Sequence, residues 1–471
     1  MVSIQEQFLH KPGTLKLLKL FFMTHKQAYI YTFTVFALIC LFSYMASGQT
    51  RTLSMHEALE LSLANNREIK VAELDIDKTQ QQVQVAKSSA LPAVGLSGQV
   101  AHYFQSPAFF GFGNSVSGSD KIPYGRFGGK DQLSATLFVV QPVFNAAIQP
   151  GIQSAKLQER QSRLQVTGRQ TDVAALLKQT YIQVLVLRER IRLQKESMAR
   201  NEKALQDARS LLAQGRALRV DTLRAYTSVK NLEPALLRLS YAIEVGKQQL
   251  KTLMGIDSAQ AIELGDSLLL PAITNLPVEE EVYNDASQHR ADLKVLDMQQ
   301  QLAEQQIKLA SAGMKPVVSL NAQYLLQTQT SQFNYFNAYY PSTPFVGAQV
   351  TVPIFNGYGN KARVKQAKVE KDQSVVRSKN AYEQLKAEVK LVVANVHETA
   401  ARIQTSANVK ETALLSYDIT QYRYAKGVAS RLELTDAELA LTTAQSNYLE
   451  AVYDYLSARI ALEHTIGTVG E

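Results

Sequence analysis

The sequence has no tryptophan and only one cysteine, Cys40, which lies in an apolar run near the amino terminus. A single cysteine excludes disulfide bonds within the chain and any cysteine-based metal site. The seven histidines are scattered, and none is paired at the spacing of metal ligands. The sequence also lacks a phosphate-binding loop with its lysine and a Gly-x-Ser-x-Gly nucleophile motif. These absences predict a protein that is not an enzyme and has no metal and no cofactor.

A strong excess of charge of one sign is missing too. The formal net charge is +8 over 471 residues, and basic and acidic residues alternate without a long basic run. Nucleic acid is therefore not expected as a partner. Hydrophobic residues make up 46% and charged residues 20% of the chain, which is the balance of a folded protein rather than a disordered one.

Long hydrophobic runs are confined to the amino terminus. Residues 28–45 are apolar, lysines precede them, and the small residues Ala46-Ser47-Gly48 follow. This layout predicts that residues 1–48 are a signal peptide with an extended amino terminus, cleaved after Gly48. A retained transmembrane helix is the alternative, because these 18 residues could just span a bilayer. Beyond Gly48 no run is that long, so a mature chain that enters a membrane would have to do so as a β-barrel.

An internal repeat divides the rest of the chain into two halves, residues 49–275 and 276–471. Matching segments recur in the same order at a period of about 212 residues, and the first half has an insertion between Phe110 and Gly129. Each half is predicted to contain a short helix, two strands, a very long helix, a turn and a return helix. The matching pairs are Asn66-Arg67 with His289-Arg290, Leu91-Pro92 with Lys315-Pro316, Pro142-Val-Phe-Asn145 with Pro353-Ile-Phe-Asn356, Gly215 with Gly427, and Gly255 with Gly467.

Four segments alternate between apolar and polar residues, which is typical of strands. They cover about 93–104, 132–143, 317–327 and 346–354. Strands of about ten residues with this alternation suit a membrane barrel, and half-buried strands of a soluble sheet are the alternative. The secretion signal and the aromatic residues between Phe333 and Tyr340 favour the barrel, since aromatic side chains cluster at membrane interfaces.

Two segments, about 151–212 and 357–424, predict very long helices. Apolar residues step by three and four along both, as in a coiled coil, and the expected helix lengths are roughly 90 to 100 Å. Turns at Gly215 and Gly427 send the chain back along the return helices. Pro234 predicts a kink in the first return helix, or its division into two stacked helices.

Four strands per chain cannot close a barrel, because open edges would leave unpaired backbone groups in the membrane. Two chains would supply about eight strands, whose side chains fill the interior, whereas three chains would supply about twelve and leave a lumen. The predicted fold is therefore mainly α, a long antiparallel coiled-coil tube joined to a small barrel, and the predicted assembly is a homotrimer.

In motif order and spacing the chain resembles the TolC family of outer-membrane efflux proteins over residues 49–467. The motifs are Pro-Val-Phe-Asn and Pro-Ile-Phe-Asn before the long helices, Tyr422-Arg-Tyr-Ala-Lys-Gly427, Leu432-Glu-Leu-Thr-Asp-Ala437, and Asn447-Tyr-Leu with Tyr453-Asp-Tyr455. The resemblance implies a homotrimer with a twelve-stranded barrel in outer-membrane lipid and a helical tunnel in the periplasm. It also implies a periplasmic adaptor (membrane fusion) protein and an inner-membrane pump of RND or ABC type as partners.

The resemblance also implies a constriction at the periplasmic mouth. Two acidic residues past the second turn glycine correspond to Glu433 and Asp436, and three chains would place six carboxylates around the opening. Such a ring selects cations and can bind divalent ions. The alternative is that these acids only favour the helix dipole. Tyr424 matches a tyrosine of the family's closed mouth, whereas Ala429 replaces the family's arginine, and Arg431 is the candidate substitute.

The turns themselves would meet the adaptor. The residues concerned are Gly215, Arg216, Ala217, Gly427, Val428 and Ala429, although turn glycines also have a purely structural explanation. The predicted function is a passive exit duct of a tripartite efflux or type I secretion system, in the outer membrane with a periplasmic extension. A periplasmic coiled-coil adaptor or scaffold is the alternative function. The transported substrate and the pump class cannot be read from the sequence.

Overall fold

The computed structural model describes residues 51–110, 124–268, 273, 275–331 and 335–468. The predicted signal peptide, most of the predicted insertion, and Phe333 lie outside these residues. In the described part of the chain, no helix combines the length and the apolar character needed to cross a membrane.

Helices make up most of the described structure. The two halves have the same order of helices, short, medium, very long and return. In the first half these are α1 (Met55–Asn65), α2 (Arg67–Ser88), α3 (Ile148–Ala213) and α4 (Arg219–Met254). In the second half they are α5 (Glu279–His289), α6 (Ala291–Ala312), α7 (Gly359–Ala425) and α8 (Arg431–Ile466).

The long helices differ from the predicted segments by one to three residues at each end. With 66 and 67 residues, α3 and α7 are each about 100 Å long. The predicted division at Pro234 is wrong, because α4 runs through that residue as one helix. Pro234 lies on the exposed side of α4, where water can solvate the carbonyl that loses its hydrogen bond.

The strands form three sheets. The largest has the order β2-β5-β7-β8, and all its neighbours are antiparallel. A parallel pair joins β1 to β6, and a short antiparallel pair joins β3 to β4. The strands are β1 (Arg51–Leu53), β2 (Ala93–His102), β3 (Ala108–Phe110), β4 (Tyr124–Arg126), β5 (Asp131–Asn145), β6 (Ile262–Leu264), β7 (Val317–Thr330) and β8 (Ser342–Thr351).

The last strand differs most from its prediction, since it begins four residues earlier and ends three residues earlier than the segment 346–354. Pro344 lies inside β8, which is tolerated because β8 is an edge strand of the sheet. Pro353 has no amide hydrogen to donate, and the pairing stops two residues before it, at Thr351.

The register of the four-stranded sheet places the predicted apolar residues on one face. Leu96 pairs with Leu137, Leu137 with Tyr324, and Ala322 with Val346, so these side chains project to the same side. The other face is mostly polar, with Phe138 and Phe345 as exceptions. This two-sided sheet confirms the alternation predicted from the sequence.

A structural role explains the Pro-x-Phe-Asn motifs. The Asn145 side-chain oxygen accepts a hydrogen bond from the Ala147 amide at 3.0 Å, just before α3. The Asn356 side-chain oxygen accepts one from the Asn360 amide at 3.4 Å, at the start of α7. Both asparagines therefore satisfy amide groups that would otherwise be unpaired at a helix start.

The helices form one layer that continues the sheet. In the half next to the sheet, α2 packs on α3, α3 on α6 and α6 on α7. In the far half, α4 packs on α3, α3 on α8 and α8 on α7. The long helices thus run the whole length, while α2 and α6 are succeeded by the return helices α4 and α8.

The main apolar core lies where the helices of the first half change over. Buried Leu177 and Tyr181 of α3 pack there with Leu250 of α4 and with β1 and β6. The Tyr181 hydroxyl donates to Asp266 at 2.8 Å and lies 2.8 Å from the carbonyl of Leu53. Burial and the neighbouring Asp266 carboxylate raise the pKa of Tyr181. These contacts hold the first described strand against the longest helices.

Candidate functional site

The two turns at the far end of the helices have the same backbone geometry. Gly215 and Gly427 adopt φ values of +70° and +75°, in the left-handed region that favours glycine. The Arg216 amide donates to the Leu211 carbonyl and the Val428 amide to the Arg423 carbonyl, both at 2.9 Å. Each turn therefore closes its helix with the same pair of residues in the repeat.

Most of the residues predicted to meet an adaptor lie on the surface of these turns. Both glycines, Arg216 and Val428 are exposed, whereas Ala217 and Ala429 are half-buried. Nothing lies within 4 Å of a Cβ built on either glycine, so the space around both turns is open. The turns are accessible, and their glycines also have the structural explanation that the backbone requires.

Glu433 has a structural role that its position partly predicts. Its carboxylate accepts hydrogen bonds from the Ser430 amide at 3.1 Å and the Ser430 hydroxyl at 3.0 Å. The Glu433 amide donates to the Ser430 hydroxyl at 3.2 Å, which completes a capping box at the start of α8. These bonds from Ser430 are the main reason why the pKa of Glu433 is lowered, with a smaller effect from Arg423.

Asp436 lies one turn further along α8 and is exposed. Residues three apart are neighbours on a helix surface, so Glu433 and Asp436 lie on the same side of α8. A single chain therefore presents two adjacent carboxylates close to the second turn.

The position of the family's missing arginine has two basic neighbours in this chain. Arg423 lies 3.9 Å from the Glu433 carboxylate, a weak pair because both side chains are about half exposed. Arg431, the predicted substitute, instead lines a cleft of about 590 Å³ between the two turns, as do Tyr424 and Ala429. The structure thus brings Tyr424 and Arg431 to one cleft and places Arg423 beside Glu433.

Glu438 was not among the predicted site residues. Its side chain is 8% exposed, and its carboxylate accepts a hydrogen bond from the Asn201 side chain of α3 at 2.8 Å. A signal was present in the sequence, because Leu434, Glu438 and Leu441 step by four and three and place an acid in an apolar seam.

The comparisons with known proteins address the whole of this architecture. Residues 58–256 and 282–468 match the family described as "Outer membrane efflux protein". The chain belongs to this family. The two matched segments fall one in each half of the repeat, and the resemblance seen in the sequence is confirmed.

Relatives of this outer-membrane efflux protein include secretion and efflux proteins. It is 24% identical to the "Proteases secretion protein PrtF" of Dickeya chrysanthemi, over 91% of each chain. It is 22% identical to the "Toluene efflux pump outer membrane protein TtgC" of Pseudomonas putida, over 88% of this chain and 83% of that protein.

A solved structure supports the fold. The outer membrane protein VceC of Vibrio cholerae superposes with a TM-score of 0.69 at 19% identity, over 88% of this chain and 96% of VceC. The predicted fold, outer-membrane localisation and channel function are confirmed, and the channel is favoured over the adaptor or scaffold alternative. The family is one of channel proteins rather than enzymes.

Proposed function

We propose that three copies of this outer-membrane efflux protein close into one passive duct, a barrel continued by a helical tube. The observation that carries the proposal is that both layers of the chain are open rows. The sheet ends in the unpaired edges of β2 and β8, and the far helical layer ends in α4 and α7. Because the two ends of each row differ, copies join head to tail, and such contacts close a ring when the rotation permits.

Apolar side chains cover both ends of the helical row. On α4 the exposed residues Leu237, Tyr241 and Val245 are spaced by four. On α7 the exposed residues Leu415, Ile419 and Tyr422 are spaced by four and three. Unburied stripes with helical periodicity are typical of a helix whose partner is another chain. We assign that partner to the next copy in the ring.

The turns would then form the periplasmic end of the duct. Gly215, Arg216 and Ala217 with Gly427, Val428 and Ala429 would be offered to a periplasmic adaptor protein, and Glu433 and Asp436 would surround the mouth. The pump that supplies energy, of RND or ABC type, belongs to another protein. The names of PrtF and TtgC refer to protease secretion and toluene efflux, so the family fits either kind of pump.

The assembly can be tested by disulfide crosslinking between copies. Tyr226 of α4 and Ile419 of α7 are both exposed and lie at similar distances from their turns. The Tyr226→Cys, Ile419→Cys double variant is expected to give covalent trimers on oxidation in a denaturing gel. The Tyr226→Cys variant alone is the control and should give none. A purely monomeric mass in mild detergent, with no crosslinked species, would overturn the proposal.

A further inference from the structure

A buried carboxylate joins the two helical hairpins well away from the mouth. The first hairpin is α3 with α4, and the second is α7 with α8. Glu438 of the second hairpin lies eleven residues beyond Gly427 and is buried. Its carboxylate accepts from the Asn201 amide group at 2.8 Å and lies 3.4 Å from Nε of Arg200, both on α3. This is an ion pair between hairpins, not within one helix.

A third helix completes the cluster. The ring of Tyr417 on α7 is buried and lies 5.8 Å from the Arg200 guanidinium, within reach of a cation–π contact. Nη2 of Arg200 is buried and has no hydrogen-bond partner among the described residues. The cluster of Arg200, Asn201, Tyr417 and Glu438 therefore holds buried charges that are only partly satisfied, and such contacts are sensitive to small changes.

The surroundings of the cluster indicate where the hairpins can part. The cleft of about 590 Å³ reaches from Arg200 and Glu438 to the turns, so the hairpins are less closely packed on that side. The charged or titratable groups facing Glu438 are Arg200, Lys203 and Asp207 from α3, Tyr417 and Asp418 from α7, and Arg431 from α8.

We propose that this cluster is a proton-sensitive latch, in which the ionisation of Glu438 sets how readily the second hairpin separates from the first. For the assembled duct, where separation of the hairpins would widen the periplasmic end, the consequence rests on the proposed function. The latch itself is a property of one chain.

The sign of the pH dependence follows from burial. Burial raises the pKa of Glu438 more than Arg200 and Arg431 lower it. Separation of the hairpins would return the carboxyl to water and to its ordinary pKa, so the docked state binds the proton more tightly. Acidification through the raised pKa therefore stabilises the docked hairpins, and the ionised form favours separation.

The experiment measures a distance within one chain. Ser210 on α3 and Gln421 on α7 are exposed and line the cleft from opposite hairpins. Spin labels on Ser210→Cys and Gln421→Cys, in chains diluted with unlabelled protein, report the separation by pulsed electron paramagnetic resonance. The ratio of docked to separated chains is expected to rise several-fold between pH 8 and pH 5.

Variants separate the latch from general effects of charge. Glu438→Gln keeps an oxygen acceptor for Asn201 but cannot titrate, so it should stay docked with no pH response. Arg200→Gln leaves the carboxylate without its cation, so it should separate at pH 8 and dock again on acidification. Glu411→Gln removes an exposed acid of α7 and should behave like the unmodified chain.

An unchanged distance distribution from pH 8 to pH 5, or a Glu438→Gln variant that keeps the full pH response, would overturn the latch. Neither outcome depends on whether the chains form trimers, which the crosslinking experiment decides separately. Circular dichroism on each variant establishes that the helices are retained.

Discussion

Gly255 ends α4 where the chain has no room for a side chain. Its φ is +66°, and a Cβ built there would lie 2.3 Å from the carbonyl oxygen of Asn65. Gly467 occupies the matching place after α8 with φ +88°, but its nearest atoms lie 3.5 Å away. The two glycines are equivalent in the repeat and differ in their surroundings, which makes them a matched pair.

We expect Gly255→Ala to destabilise the protein more than Gly467→Ala. A left-handed alanine costs about 1–2 kcal/mol at either position. Only Gly255→Ala adds a clash with a backbone atom, which forces α1 and α4 apart. Thermal unfolding of both variants, followed by circular dichroism in detergent, measures the difference. Equal losses would mean that the contact with Asn65 contributes nothing beyond the backbone conformation.

At this scale the sequence predicts residue type and position better than contacts. The spacing of Glu433 and Asp436 from Gly427 was legible, but the hydrogen bonds of Glu433 to Ser430 depend on where α8 begins. The proximity of Arg423 to Glu433 and of Arg200 to Glu438 depends on how helices far apart in the chain pack together. Such pairs leave no local pattern, so sequence reasoning passed over both.

Each strand of the main sheet has two chemically different sides. On β8, Val346 is 82% exposed in a single chain and belongs to the apolar face. On β7, Gln323 belongs to the opposite, polar face. In the assembled barrel the apolar face would meet lipid, and the polar face would line the lumen.

Lysine at these two positions should therefore have unequal effects. Val346→Lys places a charge towards lipid and is expected to cost about 2–4 kcal/mol near the bilayer midplane. Gln323→Lys places the same charge in a wet lumen and should be tolerated. The amount of heat-modifiable protein in outer-membrane fractions measures both effects. Similar amounts of the two variants would contradict this assignment of faces.

Element type was predictable wherever a pattern persisted over many residues. The 3–4 spacing along α3 and α7 continues for many turns and determines their length within a few residues. Strand ends were less predictable, because pairing with a neighbour decides where a strand stops. Proline illustrates this dependence, since Pro344 lies within an edge strand and Pro234 within a helix, each tolerated by its exposed setting.

For the whole molecule, the mouth is a property of the assembly rather than of one chain. Each chain presents Glu433 and Asp436 near one turn, and three copies would bring six carboxylates together. The trimer was predictable from counting strands, whereas the separation of these carboxylates across the mouth depends on how the copies meet.

The Glu433→Gln, Asp436→Asn double variant tests the charge at the mouth. Glutamine can still complete the capping box with Ser430, so α8 should keep its start. Cation selectivity in planar bilayers should fall, and divalent-ion block should weaken by about tenfold, as expected for the loss of close charge contacts of about 1 kcal/mol each in water. Glu73→Gln with Asp77→Asn, two exposed acids of α2, is the control and should change neither property.

The duplication within the chain has a consequence for how such a ring evolves. Three chains with two similar turns each give six sites in alternation, three like Gly215 and three like Gly427. A substitution in one half of the gene alters every second site and leaves the others unchanged. Selection can therefore tune alternate sites independently, so a ring of near-sixfold outline acquires two kinds of docking position without a second gene.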